Sequence, residues 1–183
     1  MLYILGGSPR CGKSIISRRF ILEKSIPYFS TDFLIGALEK GAPQFDIKFG
    51  PFIPKAERVW PILDYLMKGI VEWTDDYLIE GDSLLPKYIP SFLDKYKEEV
   101  KCCFVGFTTM SPKNKLAEIR KYSSHKDDWT QKRSDKQMLK AINSMIEFSK
   151  YLKIECLKHD IKYFDVSEKF QENLDEIFNY LTK

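Results

Sequence analysis

Short apolar runs alternate with longer stretches of helical periodicity along this chain. The apolar runs have the length and composition of buried strands, and they lie at residues 2–5, 25–29, 77–79, 100–107 and 163–166. Between them, apolar residues recur every three or four positions. This spacing predicts helices at residues 15–21, 33–39, 55–73, 111–122, 134–156 and 168–181. Strands that alternate with helices predict an α/β fold, in which crossover helices cover both faces of a parallel sheet.

Polar signals mark the starts of some helices and separate them from two irregular segments. Ser134 and Gln137 form a capping box before the fifth predicted helix, and Ser167 is placed to cap the last one. The segments 44–54 and 123–133 have no apolar periodicity. Because irregular segments of this length are often functional, we expect mobile pieces over a site at both places.

The composition narrows the class of protein. The chain has 183 residues, 44% of them apolar, and a net charge of +3, which predicts one cytoplasmic domain and gives no support to nucleic-acid binding. The four cysteines, Cys11, Cys102, Cys103 and Cys156, show no metal-binding spacing, so we expect reduced thiols in the core. Neither a signal peptide nor a bilayer-spanning apolar stretch is visible, and we expect no membrane partner.

The first strand leads into the phosphate-binding motif G-x-x-x-x-G-K-S, directly before the first helix. The motif consists of Gly7, Ser8, Pro9, Arg10, Cys11, Gly12, Lys13 and Ser14. Its glycines let backbone N–H groups turn toward phosphate, and the helix N-terminus adds partial positive charge. Lys13 is expected on the β- and γ-phosphates and Ser14 on Mg²⁺. The motif therefore predicts a nucleoside triphosphate site, with ATP and Mg²⁺ as ligands.

The motif and the order of elements resemble the small-molecule P-loop kinases of the adenylate, shikimate and gluconate kinase-like group. The resemblance covers nearly the whole chain, although only the phosphate loop is highly specific. It implies a three-layer P-loop NTPase fold with a five-stranded parallel sheet in the order 2-3-1-4-5. Residues 1–183 would form a single domain with a substrate-binding region at about 33–75 and a basic lid at about 120–134.

Asp32 follows the second predicted strand, where kinases of this group place an acid against the acceptor hydroxyl. The stretch Thr31-Asp32-Phe33-Leu34-Ile35 is similar to chloramphenicol phosphotransferase, in which such an aspartate is the base. A carboxylate beside a polarised γ-phosphate can orient a hydroxyl and accept its proton. The alternative is that Asp32 only caps the following helix. Leu34 stands where shikimate kinases have a second acid, which counts against a shikimate-type site.

The third predicted strand ends in Glu80-Gly81-Asp82, a stretch similar to the strand end of 2-phosphoglycerate kinase-like proteins. Ligands bind at the carboxyl edge of parallel sheets. Glu80 or Asp82 is therefore a candidate to contact substrate or a metal-bound water, and Gly81 allows close approach of the backbone. The alternative is a simple turn that starts a loop.

Arginines in the lid region are candidates for neutralising the transferred phosphoryl group. The resemblance implies that Arg133 closes over the phosphates and that Arg120 stacks on the base, with a solvated polar loop as the alternative. Arg58, on the predicted helix at 55–73, could bind an anionic substrate or be an ordinary exposed arginine. The backbone at 165–167 lies where this group surrounds adenine.

These features together predict an ATP-dependent kinase that phosphorylates a hydroxyl of a small molecule, with Lys13, Asp32 and Arg133 as the catalytic residues. The alternatives are a kinase with a nucleic-acid or nucleotide acceptor, which would want a more basic groove, and a nucleotide-binding regulatory ATPase. We expect a monomer or homodimer. Phe45, Phe49 and Phe52 suggest an apolar or ring-bearing acceptor, unless they belong to the core.

Overall fold

The centre of the protein is a five-stranded sheet with all its strands parallel. The computed structural model describes residues 1–122 and 128–183. The strands are β1 Leu2–Gly7, β2 Tyr28–Ser30, β3 Tyr77–Gly81, β4 Val100–Gly106 and β5 Lys162–Asp165. They are arranged in the order β2-β3-β1-β4-β5, with the phosphate-loop strand in the middle. The sheet confirms the predicted fold class and strand order.

Seven α-helices lie within the described ranges. They are α1 Lys13–Lys24, α2 Thr31–Gly41, α3 Phe52–Trp73, α4 Ile89–Tyr96, α5 Pro112–Tyr122, α6 Asp135–Lys158 and α7 Phe170–Thr182. Short 3₁₀ helices occur at Pro43–Phe45, Pro86–Tyr88 and Lys97–Glu99. Across residues 1–122 and 128–183, every helix is too short or too polar to cross a bilayer.

The alternation of side chains along β1 divides the core into two layers. Leu2 and Ile4 face a cluster formed mainly with α2, α3 and α4, whereas Tyr3 and Leu5 face a cluster with α1 and α7. Successive residues of a strand point to opposite faces, so one fully buried strand supplies both layers. α6 contributes to each cluster, through Phe148 and Leu152 on one side and Met138 and Met145 on the other.

The structure corrects several predicted boundaries. The second strand is Tyr28–Ser30 rather than 25–29, because Ser25 takes a left-handed conformation (φ 58°) and ends α1. α3 starts at Phe52, inside the predicted loop at 44–54. The last helix is preceded by Lys169 rather than capped by Ser167. The capping box of Ser134 and Gln137 before α6 is confirmed.

One helix was missing from the prediction. α4, Ile89–Tyr96, lies between β3 and β4 and buries Ile89, Phe92 and Tyr96. These three positions have helical spacing, but an eight-residue helix gives too few repeats for a period to stand out. Of the predicted mobile segment at 123–133, residues 123–127 lie outside the described residues.

Candidate active site

The phosphate loop is held in place by close backbone packing against β4. Ser8 N–H donates to Val105 O at 3.0 Å, and a Cβ added to Gly7 would lie 2.3 Å from the same oxygen. The buried Ser8 hydroxyl donates to Met145 O on α6 at 3.0 Å. Gly12 has a φ of 97°, which side chains rarely allow. The two motif glycines are therefore required by the geometry of the loop itself.

Lys13 begins α1 and points back into the loop that precedes it. Its Nζ donates to Gly7 O at 3.1 Å and to Ser8 O at 2.9 Å, and the side chain is buried. Ser14, the next residue, is exposed at the first turn of the helix. A buried ammonium beside an exposed hydroxyl at a helix N-terminus is an arrangement suited to a polyphosphate and its divalent cation.

The charge of Lys13 is maintained by its surroundings. Burial alone would lower the pKa of its ammonium, but nearby groups more than offset this effect and the pKa is raised. These groups are the Cys11 thiol where it is ionised, and the carboxylates of Glu80, Asp82 and Asp32. Burial also raises the pKa of the Cys11 thiol despite the adjacent Lys13, so Cys11 is neutral at physiological pH.

The sheet register brings the predicted acids together. Ser30, the last residue of β2, pairs with Glu80 of β3, so Asp32 and Asp82 each follow two residues beyond the same rung. β3 in turn pairs with β1 up to the start of the phosphate loop. Glu80 and Asp82 are buried at this edge. The three carboxylates thus gather at the carboxyl edge of the sheet, beside Lys13.

The close contact with Thr31 requires a glycine at position 81. A Cβ at Gly81 would lie 1.7 Å from Thr31 Oγ1, so only glycine fits between the two buried acids. Thr31 is completely buried, and its hydroxyl has no hydrogen-bond partner in the part of the chain that the structure describes. An unsatisfied buried hydroxyl is uncommon. Here it directly precedes Asp32 in the acid cluster.

Asp32 retains an exposed face, yet protein atoms surround the remainder of its carboxyl group. This desolvation is the largest cause of a raised Asp32 pKa, and repulsion from Asp82 and Glu80 adds to it. Lys55 and Lys13 act in the opposite direction without cancelling the shift. Asp32 lies in the first turn of α2 but is not its cap, because Ser30 occupies the N-cap position.

A buried ion pair that the sequence analysis missed connects the predicted substrate-binding helix to the acids. Lys55 Nζ lies 2.5 Å from Asp82 Oδ1, with the two side chains only 3% and 11% exposed. Ser83 Oγ donates to the same carboxylate oxygen at 3.2 Å. The sequence did contain one indication that Lys55 is buried. It is in helical register with Val59 and Leu63, which are buried on the same helix.

The described part of the predicted lid is fastened to the phosphate loop. Arg10 pairs with Asp128 and donates to Thr130 Oγ1 at 3.2 Å. Trp129 has two guanidinium groups near its ring, with Arg10 at 5.9 Å and Arg133 at 4.7 Å from the ring centre. Arg133, the predicted phosphate contact, therefore packs on an indole ring held next to the loop.

Arg120 acts on the lid backbone in this structure. It donates to Thr130 O at 2.6 Å and to Arg133 O at 2.7 Å, and it pairs with Asp135 at 2.8 Å. These contacts hold the end of α5 against the start of α6. Stacking of Arg120 on a base, which the resemblance implied, remains a prediction.

Side-chain hydrogen bonds connect the segment that follows β4 with the segment at the end of β5. Desolvation opposes ionisation of Asp165, but hydrogen bonds from Ser167 and Thr108 outweigh it and lower the pKa of this carboxyl group. Thr109 N–H also donates to Ser167 Oγ at 3.0 Å. Lys115 of α5, a second buried lysine that was missed, lies 4.6 Å from the Phe107 ring centre near Cys11.

Arg58 lies at the edge of this region. Its side chain is 56% exposed and pairs with Asp46, whose backbone oxygen it also contacts at 3.0 Å. Asp46 is further paired with Lys48 at 2.9 Å. A role of Arg58 in binding an anionic substrate would require it to leave Asp46.

No metal-binding cluster of three or more His, Cys, Asp or Glu side chains occurs within residues 1–122 and 128–183. The expected Mg²⁺ ligand set is different, because Ser14 would share the ion with phosphate oxygens and water. The exposed Ser14 hydroxyl next to the buried Lys13 ammonium fits that role.

No protein-family model matches the chain, and no curated protein matches its sequence. Solved structures match its fold. A shikimate kinase from Bacteroides thetaiotaomicron has a TM-score of 0.58 at 14% identity, covering 100% of this chain and 99% of that one. A gluconokinase from Sinorhizobium meliloti 1021 has a TM-score of 0.55 at 14% identity, covering 98% and 90%. A shikimate kinase from Aquifex aeolicus vf5 has a TM-score of 0.53 at 18% identity, covering 99% and 96%. At identities this low, the structural similarity establishes the fold alone. The chain has the P-loop fold of these small-molecule kinases.

Proposed function

We propose that this protein is a Mg²⁺-dependent kinase that transfers the γ-phosphoryl group of ATP to a hydroxyl of a small molecule. The observation that carries the proposal is the meeting of Asp32, Glu80 and Asp82 with Lys13 at one edge of the sheet. A phosphate loop and an acid placed for an acceptor are the two halves that phosphoryl transfer needs. The likeness to shikimate kinase and gluconokinase structures supports the same reaction class.

The phosphate loop would bind the triphosphate through its backbone N–H groups and the Lys13 ammonium. Lys13 would exchange the carbonyl oxygens of Gly7 and Ser8 for phosphate oxygens. Ser14 would hold Mg²⁺, which neutralises phosphate charge when bound. Arg133 would add positive charge from the lid after leaving Trp129.

Asp32 would orient the acceptor hydroxyl and take its proton. The acceptor oxygen forms a bond to the γ-phosphorus while the bond to the β,γ-bridging oxygen breaks, and ADP leaves. The raised pKa of Asp32 makes its carboxylate a stronger base than an ordinary aspartate. Asp82, held in place by Lys55, would lie beside it.

The proposal is tested by incubating the protein with Mg·ATP and a broad set of hydroxyl-bearing metabolites, and by looking for a mass gain of one phosphoryl group on the acceptor. Lys13→Ala should abolish the reaction. Lys24→Ala is the matched control, because Lys24 is exposed at the opposite end of the same helix. Absence of transfer to every acceptor, in protein that binds Mg·ATP, would contradict the proposal.

A further inference from the structure

We infer that the acceptor is a ring-bearing alcohol without an anionic group. The inference rests on the proposed function and specifies its substrate class. It is drawn from the side chains near Asp32 on the acceptor side, which are exposed aromatic rings and cations that already contact carboxylates.

Phe49 covers the face of α2 that carries Asp32. A Cβ at Gly36 would lie 3.9 Å from Phe49 Cε2, and Gly36 is four residues after Asp32. Residues four apart lie on the same face of a helix, one turn along. The Phe49 ring is also 5.9 Å from Lys55 Nζ. Phe49 therefore spans the gap between Asp32 on α2 and Lys55 on α3.

The aromatic side chains at this place remain open to solvent. Phe49 is 51% exposed, and Phe33, which directly follows Asp32, is 68% exposed. Large apolar groups that stay exposed around a polar site are typical of ligand-binding surfaces. A ligand ring would remove these faces from water, whereas a small polyol would leave them wet.

The lysine and arginine side chains described on the acceptor side already contact carboxylates, and two of them share one. Lys55 is buried against Asp82 at 2.5 Å, and Arg58 and Lys48 both pair with Asp46. An acceptor carboxylate or phosphate would have to break one of these pairs or lie beside Asp32 and its acidic neighbours. Like charges at short range in a partly buried site are strongly unfavourable.

An apolar groove continues from this place and has room for the ring. It has a volume of about 680 Å³ and runs between the start of α3 and α6. Phe52 connects the two regions, because its ring is 5.8 Å from Lys55 Nζ and also lines the groove. The two charged lining residues, Lys140 and Glu147, have opposite signs. The groove thus offers no net charge to an anionic ligand.

Three matched acceptors test the inference with Mg·ATP. The probe is 1-phenyl-1,2-ethanediol. Mandelate keeps the ring but replaces the CH₂OH group by a carboxylate, and glycerol keeps the diol but replaces the ring by CH₂OH. We expect phosphorylation of the phenyl diol with a kcat/KM at least about tenfold above that of glycerol, since burying an aromatic ring contributes that much or more. We expect a similar margin over mandelate, because its carboxylate would lie beside Asp32 and its acidic neighbours.

Phe49→Ala should raise the KM for the phenyl diol about tenfold or more. Trp73→Ala is the matched control and should leave the KM unchanged. Trp73 is 85% exposed on α3, and it lies about 27 Å along the helix from Lys55 at 1.5 Å per residue. Melting temperatures of both variants report on folding.

Equal or better use of mandelate or glycerol would overturn the inference, and so would neither binding nor phosphorylation of the diol in protein that binds Mg·ATP. Transfer to gluconate or shikimate with none to the diol would overturn it as well, while the proposed kinase function would stand. An unchanged KM in Phe49→Ala would remove the ring contact on which the inference depends.

Discussion

Breaking the buried Lys55–Asp82 pair should destabilise the protein more than breaking any surface ion pair does. Lys55→Met keeps most of the apolar stem of the lysine and removes only its charge and hydrogen bonds. Loss of one partner of a buried pair costs about 3–5 kcal/mol, because the other charge is left desolvated. We expect a value near the lower end, since Ser83 still donates to Asp82 and methionine can pack against Phe52.

The matched control is Lys87→Met. Lys87 Nζ also lies 2.5 Å from a carboxylate, that of Glu57, but the two side chains are 29% and 44% exposed. Solvent-exposed pairs contribute about 0–1 kcal/mol. The same substitution at the same N–O distance therefore isolates the effect of burial.

Urea unfolding of the single variants and of the double variant Lys55→Met with Asp82→Asn measures the coupling. We expect the double variant to lose about 0.5–3 kcal/mol less than the sum of the singles. In thermal melts, Lys55→Met should lower Tm by about 6–20 °C for a domain of this size. A loss no larger than that of Lys87→Met would refute the argument that burial makes this pair important.

The same variant has a consequence for pH. Lys55 lowers the pKa of Asp32, whose overall pKa is nevertheless raised. Removing Lys55 should raise it further, so the acidic limb of kcat/KM should shift to higher pH in Lys55→Met. An acidic limb at the wild-type position would show that Asp32 does not control it.

Four other perturbations test the remaining parts of the site. Lys13→Ala should abolish the stabilisation by Mg·ATP in a thermal-shift assay, about 2.7 kcal/mol at a hundredfold excess over Kd, and a wild-type shift would contradict the assignment of the phosphate loop. Asp32→Asn should lower kcat by about 10²–10⁴-fold with no loss of Tm at neutral pH. The sign follows from the raised pKa: the stability contribution of Asp32 is greatest below its ordinary pKa and falls as pH rises through the folded-state value. Near wild-type turnover would leave Glu80 or Asp82 as the candidate. Arg10→Ala should speed nucleotide release in stopped-flow measurements, because it frees Asp128 and the lid from the phosphate loop, whereas an unchanged rate would show that this pair does not control access. Removal of Mg²⁺ with EDTA should weaken ATP binding and stop transfer, and metal-independent transfer would exclude the role given to Ser14.

The phosphate loop was predictable because its chemistry is local. Gly7, Gly12, Lys13 and Ser14 are fixed by eight consecutive residues whose backbone geometry admits few substitutes. The acids were predictable for a related reason: each lies at or just beyond the carboxyl end of a strand of a parallel sheet, and such strand ends meet at one edge. Strand order and acid placement therefore followed from element order together with the resemblance to a known fold.

The contacts between distant segments could not be predicted in the same way. Lys55 and Asp82 are 27 residues apart, and Arg10 and Asp128 are 118 residues apart. Nothing in either local sequence indicates its partner, because the pairing depends on how α3 and the lid pack against the sheet. The contacts of Arg120 with the lid backbone at Thr130 and Arg133 were likewise not foreseen from the sequence, and its predicted stacking on a base remains a prediction.

The balance of charge explains why the proposed reaction would need a divalent cation and a further positive charge from outside the phosphate loop. Three carboxylates, Asp32, Glu80 and Asp82, face two lysines, Lys13 and Lys55, so the acids outnumber the lysines in this cluster. Lys55 is committed to Asp82, which leaves Lys13 as the cation within the loop that can turn to phosphate. A triphosphate adds several negative charges next to these acids. Binding it therefore requires a divalent cation, and transfer requires further positive charge over the γ-phosphate. In the proposed function Arg133, whose guanidinium lies 4.7 Å from the Trp129 ring centre, would supply that charge from the lid.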